Sequence, residues 1–338
     1  FQPKDNFNTK LYSGNSSTQS ITGIGFQPDW VWIKKRDGTD DHVLYDVVRG
    51  ATKSLHSNTS EGEDTQTDGL TSFDSDGFSL GADGKSNQGH GYVSWNWKAA
   101  NSQGSSNTDG SINTTYTSAN TTAGFSISKY TGTASTATVG HGLGAVPKMI
   151  MVKNLSADSN WQVFHTGLTS NNYRIALDST DAEGGDSTAW NNTDPTSSVF
   201  SVGTSFRTNG SGNSIIAYSF AEVKGFSKFG SYIGNGSTNG PFVYTGFKPA
   251  FVLVKNADAS QNWFLQDSKR LGYNKANHLQ KPNSSGADDT GTHIDILSNG
   301  FKTIVNSANC NGSGNTIIYM AFAEEPLVAS NETPATAR

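Results

Sequence analysis

The stretch Gly25-Phe26-Gln27-Pro28-Asp29-Trp30-Val31-Trp32-Ile33-Lys34 decides the fold, because the chain returns to it twice. Gly144-Ala145-Val146-Pro147 precedes the apolar run Met149 to Val152 and Lys153, and Gly246-Phe247-Lys248-Pro249 precedes Phe251 to Val254 and Lys255. Other landmarks keep step. A Tyr-x-Gly turn stands upstream of each copy: Tyr12-Ser13-Gly14, Tyr130-Thr131-Gly132 and Tyr232-Ile233-Gly234. Trp161 and Trp263 fall at the same distance after their prolines, and His42 holds that place in the first copy. Phe78, Phe200 and Phe301 follow, and each copy closes on an apolar run: Tyr92 to Trp97, Ile215 to Phe220, Ile317 to Phe322. A period on the order of 100 residues is too long for a solenoid unit and suits a small domain.

Within each copy the apolar runs are short, rich in Val, Ile, Phe, Tyr and Trp, and separated by Gly, Asn, Asp, Ser and Thr clusters, as strands and turns are. Trp30 to Ile33 is continuously apolar, which suits a strand buried on both faces. No window combines helical spacing with a capping residue and a terminal glycine. Short helical turns are expected only near Asp46 to Gly50 and Asp267 to Gly272. The chain reads as all-β: three homologous antiparallel β-sandwich repeats of lectin or jelly-roll type with few or no helices, a closed barrel being the geometric rival. The divisions are repeat 1 at 1–100, a Ser/Thr/Asn/Gly-rich linker at 101–123, repeat 2 at 124–223, repeat 3 at 224–327 and a C-terminal tail at 328–338. Within the linker, Ile112, Thr114 and Tyr116 alternate, so Ser111 to Tyr116 suits an edge strand.

Composition agrees. The 37 glycines and a charged fraction of 16% fit a turn-dense β protein, and 18 Phe, 11 Tyr and 7 Trp supply large buried areas despite a hydrophobic fraction of 33%. A net charge of −5 with no long basic cluster argues against nucleic acid. No apolar run is long enough to span a bilayer as a helix. The single cysteine, Cys310, precludes an internal disulfide. The chain opens on Phe1, so an upstream portion is expected.

No catalytic constellation emerges. Glu222 and Glu324-Glu325 end equivalent strands, but Ala99 replaces them in the first copy and no spaced partner carboxylate accompanies them. They read as solvated strand ends. There is no Gly-x-Ser-x-Gly, and the histidines lack zinc spacing. Gly81-Ala82-Asp83-Gly84-Lys85-Ser86 departs from the phosphate-loop spacing with no helix pattern after it, and Gly140-His141-Gly142-Leu143-Gly144 opens a strand. Asp74-Ser75-Asp76-Gly77 and Asp37-Gly38-Thr39-Asp40-Asp41 place carboxylates on turns, which raises structural calcium. The full loop pattern is missing, so structural turns are the better reading, and no cofactor or metal is assigned. Asn-x-Ser/Thr triplets such as Asn15 and Asn113 arise by composition. Trp190, in Thr188-Ala189-Trp190-Asn191-Asn192, lacks a counterpart in the other copies. With Asn191 it is the expected sugar-binding platform, a shifted core residue being the equal alternative for Trp190.

Several of these segments carry a family resemblance. Leu11-Tyr12-Ser13-Gly14-Asn15 through Asp29, the strand end Trp32 to Asp37, Phe73 to Phe78, Trp95-Asn96-Trp97-Lys98-Ala99, Val139 to Gly144 and Phe226 to Tyr232 resemble a repeat domain in structural proteins of tailed, largely marine, bacteriophages. The similarity covers nearly the whole chain. It implies a virion-surface, extracellular location, a tail-fibre or adhesin-like role in attachment to host glycans, a lectin-like fold and no catalytic motif. It also implies that other virion proteins are partners, and a homo-oligomer, a trimer, is expected. The alternatives are a capsid decoration or fibre subunit contacting mainly virion proteins, and a polysaccharide depolymerase.

Overall fold

A computed structural model describes residues 1–270 and 278–323. The fold is nearly all-β, with four one-turn α-helices and one 3-10 turn, Pro3–Asp5, among the described residues. One strand order recurs in three large antiparallel sheets. The first runs Phe7–Ser13, Gly91–Trp97, Trp30–Lys35, Val43–Asp46; the second Phe125–Thr131, Ser214–Ala221, Pro147–Asn154, Gln162–His165; the third Ser227–Ile233, Thr316–Ala323, Pro249–Asn256, Phe264–Asp267. The three copies of the deciding stretch thus occupy the same place in their sheets. Pro147 and Pro249 each begin a strand at a register shift, where a missing N–H costs no ladder bond. The reading of Glu324-Glu325, of the tail and of the turn as far as Gly272 falls outside the described residues.

Every residue of Trp30–Lys35 is buried, and its alternating side chains serve two cores. Val31 and Ile33 pack with Ile21, Phe78 and Leu80 from a smaller sheet of Gln19–Thr22, Gly77–Leu80 and Leu70–Asp74. Trp30 and Trp32 face the other way, into a cluster shared by all three large sheets. In the second sheet Ile150 and Val152 pack outward against Val139, Phe200 and Val202, while Met149 and Met151 face the shared cluster. Each large sheet is therefore a middle layer, with a small sheet outside and the common core inside.

That common core is aromatic. The Trp30 ring lies 4.5 Å from Trp97 and 4.7 Å from Tyr218 of the second sheet, and Phe7 lies 5.2 Å from Phe322 and 5.6 Å from Phe251 of the third. Such pairs each contribute about 0.5–1.5 kcal/mol beyond their burial.

Hydrogen bonds across the sheets close a ring. Trp161 Nε1 donates to His56 O at 2.9 Å, and Trp263 Nε1 donates to Ala176 O at 2.8 Å. His42, standing where the others have tryptophan, makes the corresponding bond to Lys281 O at 3.2 Å. Its Nδ1 accepts from Trp32 Nε1, so the proton lies on Nε2, and burial holds the imidazole well below its usual pKa, hence neutral. Backbone amides repeat the circuit: Glu63 to Leu155 O, Glu183 to Ala257 O, Asp288 to Arg36 O. A third set links Tyr218 to Asp46 at 2.7 Å, Trp95 to Asp267 at 3.0 Å and His165 to Tyr319 O at 3.0 Å.

The Tyr-x-Gly landmark has a local cause. Tyr12, Tyr130 and Tyr232 each donate a 2.7 Å hydrogen bond to a carbonyl in a one-turn helix, at Ser86, Thr208 and Cys310. The same helices end on the buried Asn87, Asn209 and Asn311, whose amide oxygens take the backbone N–H after the glycine turn. A Cβ on Gly14, Gly132 or Gly234 would sit 1.7, 2.2 or 2.2 Å from a backbone oxygen of the helix end, so only glycine fits.

The segment at 101–123, expected to be a linker, is part of the body instead. Tyr116–Asn120 extends the second sheet by pairing with Phe125–Thr131. Ile112 is 8% exposed and forms a parallel bridge with Val139. Thr114 and Asn107 bond to each other twice. One inserted aliphatic residue and local hydrogen bonds outweigh the polar composition. The expected edge strand at Ser111 to Tyr116 accordingly begins only at Tyr116.

Trp161→Ala and Trp263→Ala are each expected to cost about 3–5 kcal/mol, since both indoles are buried and bonded across sheets. Denaturant unfolding midpoints check this. Burial also pushes Lys34, Lys153 and Lys255 down to about 8 from 10.5. Lys153 and Lys255 donate hydrogen bonds to Ser60 O and Thr180 O in loops of the neighbouring repeats. Between the two pKa values the unfolded chain binds more protons than the folded one, so these groups make stability rise with pH across that window. Lys153→Met removes one of these buried charges and is expected to flatten that rise, measured by unfolding from pH 8 to 10.5.

Candidate functional site

Where the first and second sheets meet, four loops enclose an open cleft of about 630 Å³. Ser60 comes from the first sheet's side. Asp158, Ser159 and Asn160 follow the strand Pro147–Asn154, Asp186 and Thr188 begin the helix Ser187–Trp190, and Ser205, Phe206 and Arg207 begin the helix Phe206–Asn209. The walls are fixed by protein hydrogen bonds. Ser159 N bonds to Ser60 O at 2.8 Å, and the Asp158 carboxylate accepts from Gly62 N at 3.2 Å. Asp186 caps its helix by accepting from the Thr188 amide at 3.1 Å and hydroxyl at 2.6 Å. Burial pushes the Asp186 pKa up, but the Thr188 bonds with Arg174 and Arg207 outweigh it, and the carboxylate is held below its usual range.

Into this polar rim stands Phe206, 53% exposed. Its counterparts in the other two helices are Gly84 and Ala308, so the ring is particular to this cleft. Arg207 differs as well. Lys85, its first-sheet counterpart, is taken by Asp41 at 2.8 Å, and Asn309 accepts from Asn262 N at 2.8 Å. Among the described residues the Arg207 guanidinium donates no hydrogen bond, which leaves it available to a ligand. A flat apolar face bordered by carboxylates, an amide, hydroxyls and a guanidinium can hold a polyhydroxylated ring.

Trp190 is not the exposed platform expected. It is 2% exposed, lies edge-on to Phe164 at 6.0 Å and belongs to the second sheet's outer core. The Asp186-capped helix turns the indole inward, and burial of a large apolar side chain, worth about 1.5–3 kcal/mol, offsets an indole N–H with no partner among the described residues. Asn191 follows in the left-handed conformation, φ 52°, and accepts from Thr136 Oγ1 at 3.4 Å. The two residues do not form a common site.

The other sequence candidates are engaged by the protein itself. Glu222 is exposed and lies 3.5 Å from Lys228. Asp76 closes a turn by accepting from Gly25 N and Gly23 N at 2.6 and 3.0 Å. Asp37 binds His90 and the Gly91 amide, and Asp41 binds Lys85. The Gly81 to Ser86 loop does lead into a helix, contrary to expectation, but a single turn only. Asp83 occupies its start, accepting from Ser86 and Gln66. Cys310 is buried and its thiol is pushed up to about 12 by desolvation. Sequence reasoning missed Phe206; the signal that finds it is an aromatic residue where the equivalent positions carry glycine and alanine.

Asp178, behind the cleft, is pushed up to about 6 by burial, and its carboxylate accepts from Trp161 N and Asn160 Nδ2, each at 3.0 Å. Asn58 and Asn283 fill its place in the other sheets. Because the folded pKa is raised, the folded chain binds more protons than the unfolded one between pH 3.8 and about 6, and stability falls as pH rises through that range. Asp178→Asn is expected to remove that fall and to equal or exceed the parent at pH 7, as read from thermal unfolding against pH.

No curated protein matches the chain. A family model described as a domain of unknown function aligns with residues 2–326 and so spans all three large sheets. On that match the chain belongs to the DUF7483 family.

Proposed function

We propose that this chain is a non-enzymatic binding module of a virion surface, tail-fibre or adhesin-like, which holds a host-surface glycan in the Phe206 cleft. The observation that carries the reading is the half-exposed ring of Phe206 beside the Arg207 guanidinium, which donates no hydrogen bond among the described residues, at the one equivalent position where an aromatic residue replaces a small one. The phage-like sequence segments supply the setting. Stacking on one ring gives a weak single site, so attachment draws on several copies held together on a particle, together with other virion proteins.

The test is binding of the full chain to host cells and to their purified envelope polysaccharide. Phe206→Ala and Arg207→Ala are each expected to weaken binding by about tenfold while leaving the unfolding midpoint within about 0.5 kcal/mol of the parent, both side chains being at the surface. Unchanged binding in both variants defeats the cleft as the site. Incubation with the polysaccharide is expected to release no reducing ends; sustained release would favour a depolymerase.

A further inference from the structure

The third small sheet ends on the strand Phe242–Tyr244, paired on one side with Gly300–Thr303. Pro241 O accepts from Thr303 N, and Thr245 N donates to Asn299 O, so the backbone groups of 241, 243 and 245 point into the sheet. Those of Phe242 and Tyr244 point outward, as alternate residues of an edge strand must. Both side chains are also exposed, at 47% and 58%. Among the described residues no strand pairs with the other side, and an edge carrying two large apolar side chains invites pairing.

The second small sheet displays what such an edge accepts. Its strand Ala137–Gly140 stands at the equivalent place, Thr138 opposite Ser201 as Phe242 is opposite Lys302. There the segment Gly110-Ser111-Ile112 lies along the edge. Ile112 N donates to Thr138 O at 3.0 Å, Thr138 N donates to Ser111 Oγ at 2.9 Å, and Ile112 enters the core beside Val139. A Cβ on Gly110 would sit 2.4 Å from Thr138 O, so a glycine precedes the hydroxyl residue. In the first small sheet the corresponding edge residues are Ser20 and Thr22, whose hydroxyls suit it to water.

We infer that the Phe242–Tyr244 edge is a strand-addition site for an extended segment of a partner protein. That segment carries a glycine, a small hydroxyl residue and a β-branched aliphatic residue in succession, the pattern by which 110–112 covers the second sheet. Main-chain bonds to Phe242 give the register, and the aliphatic residue packs toward Val243 beside the two rings. This protein–protein site is separate from the Phe206 cleft and stands or falls independently of the glycan reading.

The probe is an acetylated, amidated peptide with the sequence of residues 108–115, titrated against the full chain by fluorescence anisotropy, with hydrogen exchange of the complex. Saturable binding with slowed exchange at Phe242 and Tyr244 is expected. Phe242→Pro removes the outward N–H at an edge position that tolerates proline and is expected to weaken binding about tenfold. The double variant Phe242→Ser, Tyr244→Thr installs the first sheet's residues, keeps the fold and is expected to do the same. No saturation by about 1 mM, a Kd beyond the range of a specific contact, would overturn the inference. So would binding indifferent to both variants. Concentration-dependent dimerisation abolished by the double variant would overturn the choice of occupant in favour of a second copy, and protection by an oligosaccharide but not by the peptide would reassign the rings to sugar.

Discussion

The structure depends on a constraint that no single sheet can meet alone: each large sheet has two apolar faces. A small outer sheet covers one face. The other is covered only when three large sheets turn inward together, around Trp30, Trp97, Phe125, Tyr218, Phe220, Phe251 and Phe322. Three separate sandwiches joined by linkers would leave that second face in water. The cross-sheet bonds from Trp161, Trp263 and His42 then fix how the sheets sit around the centre, because each ties a buried ring nitrogen of one repeat to a backbone carbonyl of the next.

The junctions are alike in backbone and unlike in charge. Between the first and second sheets Tyr218 bonds to Asp46, which is paired with Arg49, both side chains fully buried. Between the third and first, Trp95 bonds to Asp267, paired with Arg270, and Asp288 adds Arg36 and His278 to the network. Between the second and third there is no such pair among the described residues. His165, pushed down to about 4 by burial, meets a backbone carbonyl as a neutral ring, with Leu168 at the place of the arginines. Breaking a buried pair by removing one partner leaves an uncompensated charge, so the two charged junctions tolerate substitution less readily than the neutral one.

Much of this was legible in the sequence because it rests on local chemistry. The unbroken apolar runs Trp30 to Ile33, Met149 to Val152 and Phe251 to Val254 announced strands with two buried faces, and the repeated Tyr-x-Gly marked a turn in each copy. Of the two readings of Trp190, platform and core residue, the structure selects the core: polar neighbours surround it in sequence, whereas a single capped helical turn sends it inward in space. The 101–123 segment was misread for the converse reason: its one important apolar residue, Ile112, is hidden among polar ones. The Phe206 cleft and the Phe242–Tyr244 edge come into view only when equivalent positions are compared across the three sheets after their strand order is known.

The closing of the ring within one polypeptide has a consequence for how such a molecule can change. In an assembly of three identical chains every substitution is made three times over, and a residue that helps one surface burdens the other two. Here each position is encoded singly. Gly84, Phe206 and Ala308 occupy one geometric place with three different surfaces, as do Ser20, Thr138 and Phe242. A scaffold with threefold regularity can therefore present three unrelated faces, each free to diverge while the other two hold the shared centre in place.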